Sequence, residues 1–261
     1  MLYFPQLSSG ATGQFPMQRQ RTARTVVNRS IQDYTVKLAD PGAAVTQWNL
    51  SFNEMSDQEL AALEALFQAV EGRLTPFTFL DPCDNLLAWS EQQDQPVWQA
   101  DPLLTLTANI SDPLGGTGAF QLTNPSGATL LLQQSIAAPA SLNYCLSVYA
   151  RSNSSARVWL VRGTETNAGS ISTGWTRLTS AGQLESSGDS LSFGVALDPG
   201  STVDVFGMQV EAQPAASLYK KTAENGGVYS NVRFRDDTLV ITTIGPGRHS
   251  SKVSLVNVEH L

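Results

Sequence analysis

The sequence predicts a mainly β protein with one helix: a small split β-barrel or sandwich that carries a second, complete β-sandwich as an insertion. Three observations predict this. Charged residues make up only 15% of the 261 residues, against about 25% in typical soluble domains. Ser, Thr, Gly, Asn and Gln take up the difference, a profile that suits sandwiches with polar turns better than helical bundles. One segment alone, after Ser56, carries apolar residues at helical spacing; the other apolar runs are short and strand-like. The texture also changes after Pro82 and changes back near Tyr219, so residues 1–82 with 219–261 form the outer domain and 83–218 the insert.

Charge follows the same division. The outer segments carry twelve basic and twelve acidic residues, whereas residues 83–218 carry four Arg, no Lys and eleven acidic residues. The whole net charge of −7 therefore belongs to the insert. An acidic surface repels a phosphate backbone, which argues against nucleic-acid binding there. Arg19, Arg21, Arg24 and Arg29 lie close together. Such a strip can bind phosphate, or it can be a solvated or partner-facing strand with alternating charges; the second reading is preferred. Cys83 and Cys145 have no metal-like spacing and make no disulfide framework. Cys145 sits in an apolar strand pattern as a small buried hydrophobe, and the pair suits a reducing cytoplasm. The opening Met1-Leu2-Tyr3-Phe4-Pro5 lacks the basic start and apolar core of a signal peptide. No apolar run approaches the roughly 18 residues that span a bilayer, so no membrane insertion is expected.

In the outer domain, Thr25–Arg29 and Tyr34–Leu38 are strand candidates separated by the polar turn at 30–33, and Asp40-Pro41-Gly42 reads as a turn. Trp48, Leu50 and Phe52 then alternate with Asn49, Ser51 and Asn53, the mark of a half-buried strand. Ser56-Asp57-Gln58-Glu59 is a capping box. Leu60, Leu63, Leu66, Phe67 and Val70 follow as one apolar stripe, with Gly72 as the residue past the C-cap. Fully burying that stripe contributes about 1.5–3 kcal/mol per large side chain as an upper bound, and a helix of this length needs such packing to persist in water. Residues 76–82 read as a strand ending at a proline. Residues 231–235, 238–243 and 253–258 read as three more, with Gly245-Pro246-Gly247 as a turn and Val253, Leu255 and Asn257 on one face.

In the insert, strands are expected at 105–108, 120–123, 130–133, 144–151, 158–162, 191–196 and 203–211, with turns at 112–118 and 124–127. Eight or so strands at this spacing make a sandwich or jelly roll. Four of the five tryptophans fall here: Trp89, Trp98, Trp159 and Trp175. Exposed flat aromatics beside Asn, Gln, Asp or Arg can stack on a flat ligand, so Trp175, Trp159 and Trp98 are the candidates for ligand contact. Trp175, after Gly174 in a turn-rich stretch, is the best placed; Trp159 lies within a strand and can face either way; Trp89 and Trp98 also suit packing. No spacing singles out Asp112, Asp204 or Glu211 as metal ligands, and no metal or other cofactor is assigned. Neither His249 nor His260 has a ligand partner at helical spacing, and no Ser or Cys has an activating context. The 115–118 glycines lack the Lys-Ser/Thr ending of a phosphate loop. No enzyme is expected.

Two resemblances add to this reading. The run Trp48 to Phe52, then Met55-Ser-Asp-Gln-Glu-Leu60, Leu63 to Phe67, Gly72 and Pro76 to Pro82 resembles the belt domain of phage distal tail proteins and of minor tail proteins of lambda-like phages. It covers residues 1–82 and, less specifically, 228–261. Asn85-Leu-Leu-Ala-Trp-Ser-Glu91, Trp98, Tyr149 to Ser152, Gly174-Trp175, Phe193-Gly194 and Gly207-Met-Gln-Val-Glu211 resemble carbohydrate-binding-module-like jelly rolls of phage tail and fibre proteins. The first resemblance implies a homo-oligomeric ring, hexameric in that family, in the virion tail. Such a ring lies between the tail tube protein and the tip or baseplate hub, and DNA passes through its lumen; Arg19, Arg21, Arg24 and Arg29 are its candidate ring or lumen contacts. The second implies recognition of host surface glycans, with Trp175, Trp159 and Trp98 as the candidate glycan contacts. A glycan-binding adhesin, or less readily a glycan-cleaving enzyme, is the alternative.

Overall fold

The computed structural model describes residues 1–154, 156–184 and 188–258. His260 lies outside them. In chain order the elements are β1 (Gln18–Arg29), β2 (Thr35–Met55), α1 (Asp57–Ala69), β3 (Phe77–Leu80), β4 (Trp98–Ala100), β5 (Thr105–Ile110), β6 (Ala119–Thr123), β7 (Leu130–Ile136), β8 (Asn143–Arg151), β9 (Ala156–Arg162), β10 (Glu165–Ile171), β11 (Thr176–Gln183), β12 (Leu191–Leu197), β13 (Thr202–Glu211), β14 (Val228–Phe234), β15 (Ile241–Gly245) and β16 (Arg248–Val258). The protein is mainly β, its sheets are antiparallel apart from a parallel bridge between Tyr3 and Thr78, and the described residues contain a single α-helix and no closed barrel. The barrel alternative for the outer domain is therefore set aside in favour of an open sheet.

The chain divides into two compact units: Met1–Ser8, Gly13–Phe79 and the chain from Tyr229 form unit 1, and Ser9–Thr12 with Leu80–Val228 form unit 2. Unit 2 thus runs past the expected boundary at 218. The reason lies in residues 219–227, which stay bonded to its opening segment. The Tyr219 hydroxyl contacts Ser90 Oγ at 2.8 Å, Thr222 Oγ1 donates to the Leu87 carbonyl at 2.6 Å, and the Gly227 N–H donates to the Asn85 carbonyl at 2.7 Å.

Unit 1 is one sheet in the order β1-β2-β16-β14-β3, with β15 paired to β16. Trp48, Leu50 and Phe52 of β2, Val253 and Leu255 of β16, and Val232 and Phe234 of β14 are buried on one face with Leu63, Leu66 and Val70 of the helical segment. Period-2 and period-3.6 stripes meet there, as their sequences require. Ser56 caps the helix: its Oγ accepts from the Glu59 N–H, and Glu59 Oε2 accepts from the Ser56 N–H. The C-cap is Val70; Glu71 (φ 54°) already occupies the left-handed position expected of Gly72, which follows at φ 66°. Asp40-Pro41-Gly42 is also not a turn. β2 runs through it, and the register between β1 and β2 slips at that point, from Thr22 opposite Val45 to Arg24 opposite Asp40. The slip loops the proline out of the ladder, where its missing N–H costs nothing.

Unit 2 is a sandwich of two five-stranded sheets, β10-β9-β12-β7-β4 and β11-β8-β13-β6-β5. One core joins them: Leu132, Val158, Leu160, Phe193 and Val195 from the first meet Tyr144, Leu146, Val148, Val205 and Met208 from the second. Alternate residues of β8 and β13 therefore face outward on the second sheet. Asn85 closes the sandwich by donating to the Met208 carbonyl at 2.9 Å and accepting from the Val210 N–H at 3.0 Å.

Candidate functional site

The outward face of the second sheet in unit 2 brings together polar and aromatic side chains from neighbouring strands. Register sets Arg151 of β8 opposite Asp204 of β13, and Asp204 opposite Gln121 of β6. Arg151 Nε donates to Asp204 Oδ2 at 2.9 Å, and Gln121 Nε2 donates to Asp204 Oδ1 at 3.1 Å. The Arg151 guanidinium also sits over the ring of Trp175, 4.6 Å from its centroid. Trp175 is half-buried at the start of β11, so one side of its indole is braced by a cation held in place by a carboxylate. That brace fixes the ring with little entropy left to lose on binding.

Beside this row lies a pocket of about 160 Å³ lined by Gln121, Ser152, Asn153, Ser154, Thr202 and Asp204. Its lining is amide, hydroxyl and a single carboxylate, groups that exchange hydrogen bonds with sugar hydroxyls. The next row repeats the motif. Arg177 of β11 lies opposite Tyr149 of β8, its guanidinium 5.3 Å above the Tyr149 ring, and its Nη2 donates to Ser147 Oγ at 2.9 Å. Arg177 Nε is buried and has no hydrogen-bond partner among the described residues.

The other tryptophans are placed differently. Trp159 faces outward on the first sheet, half-buried between Ala168 of β10 and Ala196 of β12, and its Nε1 donates to Asp198 Oδ1 at 2.8 Å. Asp198 also lines an open pocket with Arg157, Ser170 and Ser201. Trp98 is only 6% exposed, sits in the core and donates to the Trp89 carbonyl at 3.1 Å. Its ring is not offered to a ligand, which corrects its place among the candidate glycan contacts: the polar stretch around it in the sequence hides a strand paired with β7. Trp159 and Trp175 lie on different sheets, so no single face gathers them. Neither Tyr149 nor Arg177 was among the candidate contacts; the alternation of Tyr149 with Leu146 and Val148 along β8 carried a signal for the first, whereas the polar strand β11 carried little for the second.

The three carboxylates considered for metal binding are held by protein groups. Asp204 has Arg151; Glu211, fully buried, has Lys220 Nζ at 2.6 Å and Ser217; Asp112 accepts the N–H groups of Leu114, Gly116 and Gly118. Among the described residues no three His, Cys, Asp or Glu are grouped as a metal site. Burial, followed by the nearby Glu211 charge, pushes the Cys145 thiol up to about 11, so it stays protonated and inert. His249 is tied between Thr243 Oγ1 and Asp57 Oδ1 and lines no pocket described above.

In unit 1, the arginine strip lies on β1, all four residues exposed. Arg24 pairs with Asp40 at 3.5 Å, and Arg21 reaches the Tyr229 hydroxyl at 3.3 Å. Beyond Arg24 the strip continues into a two-stranded ribbon, Thr25–Arg29 against Thr35–Ala39, in which Val27, Ile31, Tyr34, Val36 and Leu38 are exposed.

No family model and no curated protein matches the chain. Solved structures do match it. The CBM22-1 xylan-binding domain of Paenibacillus barcinonensis Xyn10C aligns at 17% identity and a TM-score of 0.40, over 51% of this chain and 97% of that one. The enzymatically active domain of bacteriophage CBA120 tailspike protein 4 aligns at 12% identity and a TM-score of 0.37, over 51% of this chain and 22% of that one. TmCBM61, solved with β-1,4-galactotriose, aligns at 12% identity and a TM-score of 0.35, over 48% and 97%. The sandwich of this chain follows from its own sheet order and shared core.

Proposed function

We propose that this chain is a structural subunit of a phage tail tip, of the distal tail protein type. Unit 1 assembles with copies of itself into a ring that joins the tail tube to the tip or hub around the DNA channel. Unit 2 is carried as a display module whose outer face holds glycan. The observation that supports the assembly role is the ribbon of unit 1. Two strands alone are at best marginally stable in water, and this pair exposes five large apolar side chains, a pattern that marks a surface covered by another chain. The neutral charge balance of the outer segments, set against the acidic insert, fits repeated subunit contacts on one side and solvent on the other. Light scattering on the purified protein, with negative-stain images, tests the ring. Closed homo-oligomers are expected; a monomer at all concentrations, absent from the tail tip of virions, would sink it.

The adhesive part of the reading rests on Trp175 and the adjoining polar pocket. The indole face that Arg151 leaves uncovered is the stacking surface in this reading, and the pocket holding Asp204, Gln121 and Asn153 lies on the other side of Arg151 as a separate source of hydrogen bonds. Single-site affinity would be weak and raised by repetition around a ring. Binding without cleavage is the expected chemistry, because among the described residues Asp204 is the one carboxylate lining this pocket and glycoside hydrolysis uses two. On a glycan array, Trp175→Ala is expected to abolish binding while leaving the unfolding curve unchanged. Equal binding by wild type and variant would remove this face from the proposal.

A further inference from the structure

We infer that the first sheet of unit 2 carries a separate site for a sugar bearing an anionic group, held by Arg157. The site lies on the sheet opposite Trp175, and neither reading needs the other. Unit 2 contains six Lys and Arg side chains. Protein groups hold five of them: Arg151 has Asp204, Arg162 has Glu165, Lys220 has Glu211, Lys221 has Glu91, and Arg177 has the Ser147 hydroxyl. Arg157 is exposed, and its guanidinium has no ion pair or hydrogen bond among the described residues. An acidic module repels anions over most of its surface. One unpaired guanidinium is the point at which an anion is accepted, and its fork matches a carboxylate or a phosphate.

The surroundings of Arg157 suit more than a bare ion. Arg157 and Trp159 face outward on β9, alternating with Val158 and Leu160, which enter the core. Ser170 of β10 lies opposite Arg157 in register. Both line an open pocket of about 590 Å³ together with Ser154, Asp198 and Ser201, a size within the range of small-ligand sites. The turn at 198–201 is held by the protein itself. Gly200 takes φ 70°, and the Asp198 carbonyl accepts from the Ser201 N–H at 3.3 Å, the Ser201 hydroxyl at 2.6 Å and Asn124 Nδ2 at 3.1 Å. The Trp159 indole N–H fixes Asp198 Oδ1 at 2.8 Å. The pocket thus offers one free cation, one fixed carboxylate and serine hydroxyls. A carboxylate or phosphate on Arg157 leaves the sugar hydroxyls to Asp198 and the serines, whereas a neutral sugar gains no ion pair there.

Nuclear magnetic resonance on the intact protein tests this, because the Trp159 indole N–H bonds to a wall of the pocket. Its signal is assigned by its loss in Trp159→Phe. Glucuronate and glucose-6-phosphate, titrated to millimolar concentration, are each expected to shift it if both anions fit, and the two arms separate a carboxylate ligand from a phosphate one. Glucose, which lacks the charge, is expected to bind at least about tenfold more weakly, and Arg157→Ala to weaken the charged sugars by the same factor. Trp175→Ala is expected to leave the shift intact. The inference is overturned if neither charged sugar moves the signal, if glucose moves it as readily, if acetate and inorganic phosphate act as strongly as the charged sugars, or if Arg157→Ala binds like the wild type. A shift lost in Trp175→Ala would place the binding on the second sheet, overturning this site and leaving the Trp175 reading in place. A shift that needs Arg157, alongside a glycan array unchanged by Trp175→Ala, supports this site and removes the other.

Discussion

Glu59 joins two distant stretches of unit 1 through one carboxylate. Its Oε1 accepts from the N–H and hydroxyl of Ser8, both at 2.7 Å, and its Oε2 accepts from the N–H and hydroxyl of Ser56 at 2.8 and 3.0 Å. Burial alone would raise its pKa; the bonds from Ser8 and Ser56 overcome that and hold it at about 2, below its ordinary 4.5. A carboxylate with a lowered folded pKa adds stability above its unfolded value and loses it as the pH falls through the folded one. The contribution is therefore complete above about pH 4.5 and is lost between pH 4.5 and 2. Thermal melts across that window should show unit 1 weakening with acid, and Glu59→Gln should be less stable at neutral pH with a shallower slope in the same window. An unchanged slope would mean that the serine bonds do not govern the group. The capping box was legible at this scale because Ser56 and Glu59 are three residues apart; Ser8 was not, because nothing in sequence links positions 51 residues apart.

The elements read from sequence were those dense in apolar residues. β8, β12 and β13 are buried over most of their length, and α1 carries its stripe. β10 (ETNAGSI) and β11 (TRLTSAGQ) were missed because they are edges of their sheets, mostly polar and interrupted by glycine. An edge strand packs on one partner only, so its sequence needs little apolar patterning. β11 positions Arg177 and begins beside Trp175, so half of the candidate face was hidden in the least legible strand. In β12 a glycine has the opposite role. A Cβ on Gly194 would lie 2.0 Å from the Leu132 carbonyl oxygen of β7 and 2.6 Å from Gln133 Cα. Neither atom can move without shifting the strand, so Gly194→Ala is expected to cost about 1–3 kcal/mol or more, read as a lower urea midpoint for unit 2. An unchanged midpoint would show that β7 and β12 part freely at this point.

At the scale of the whole chain, the insertion point explains how one folding unit can interrupt another. β3, which leads into unit 2, and β14, which leads out, are neighbours in the sheet of unit 1. Just past them the Asp81 N–H donates to the Gly227 carbonyl at 2.9 Å, so the two connecting stretches lie side by side. A domain inserted between adjacent strands takes the place of the connection between them, and loop length adds little entropy cost when the ends are already close. The charge boundary in the sequence marked the near end of this insertion at Pro82. The far end was blurred because Lys220 and Lys221 look like the neutral outer segments, although they pair with Glu211 and Glu91 of unit 2. Replacing Leu80–Val228 by a short Asn-Gly turn should leave a protein that folds cooperatively and assembles to the same number of subunits as the intact chain, while all glycan binding is lost. The buried set of unit 1 contains no residue between Phe79 and Val232, so its core loses nothing by the cut. An excised protein that folds but no longer assembles would locate the subunit contact in unit 2 instead, and light scattering with circular dichroism on the same sample separates that result from simple unfolding.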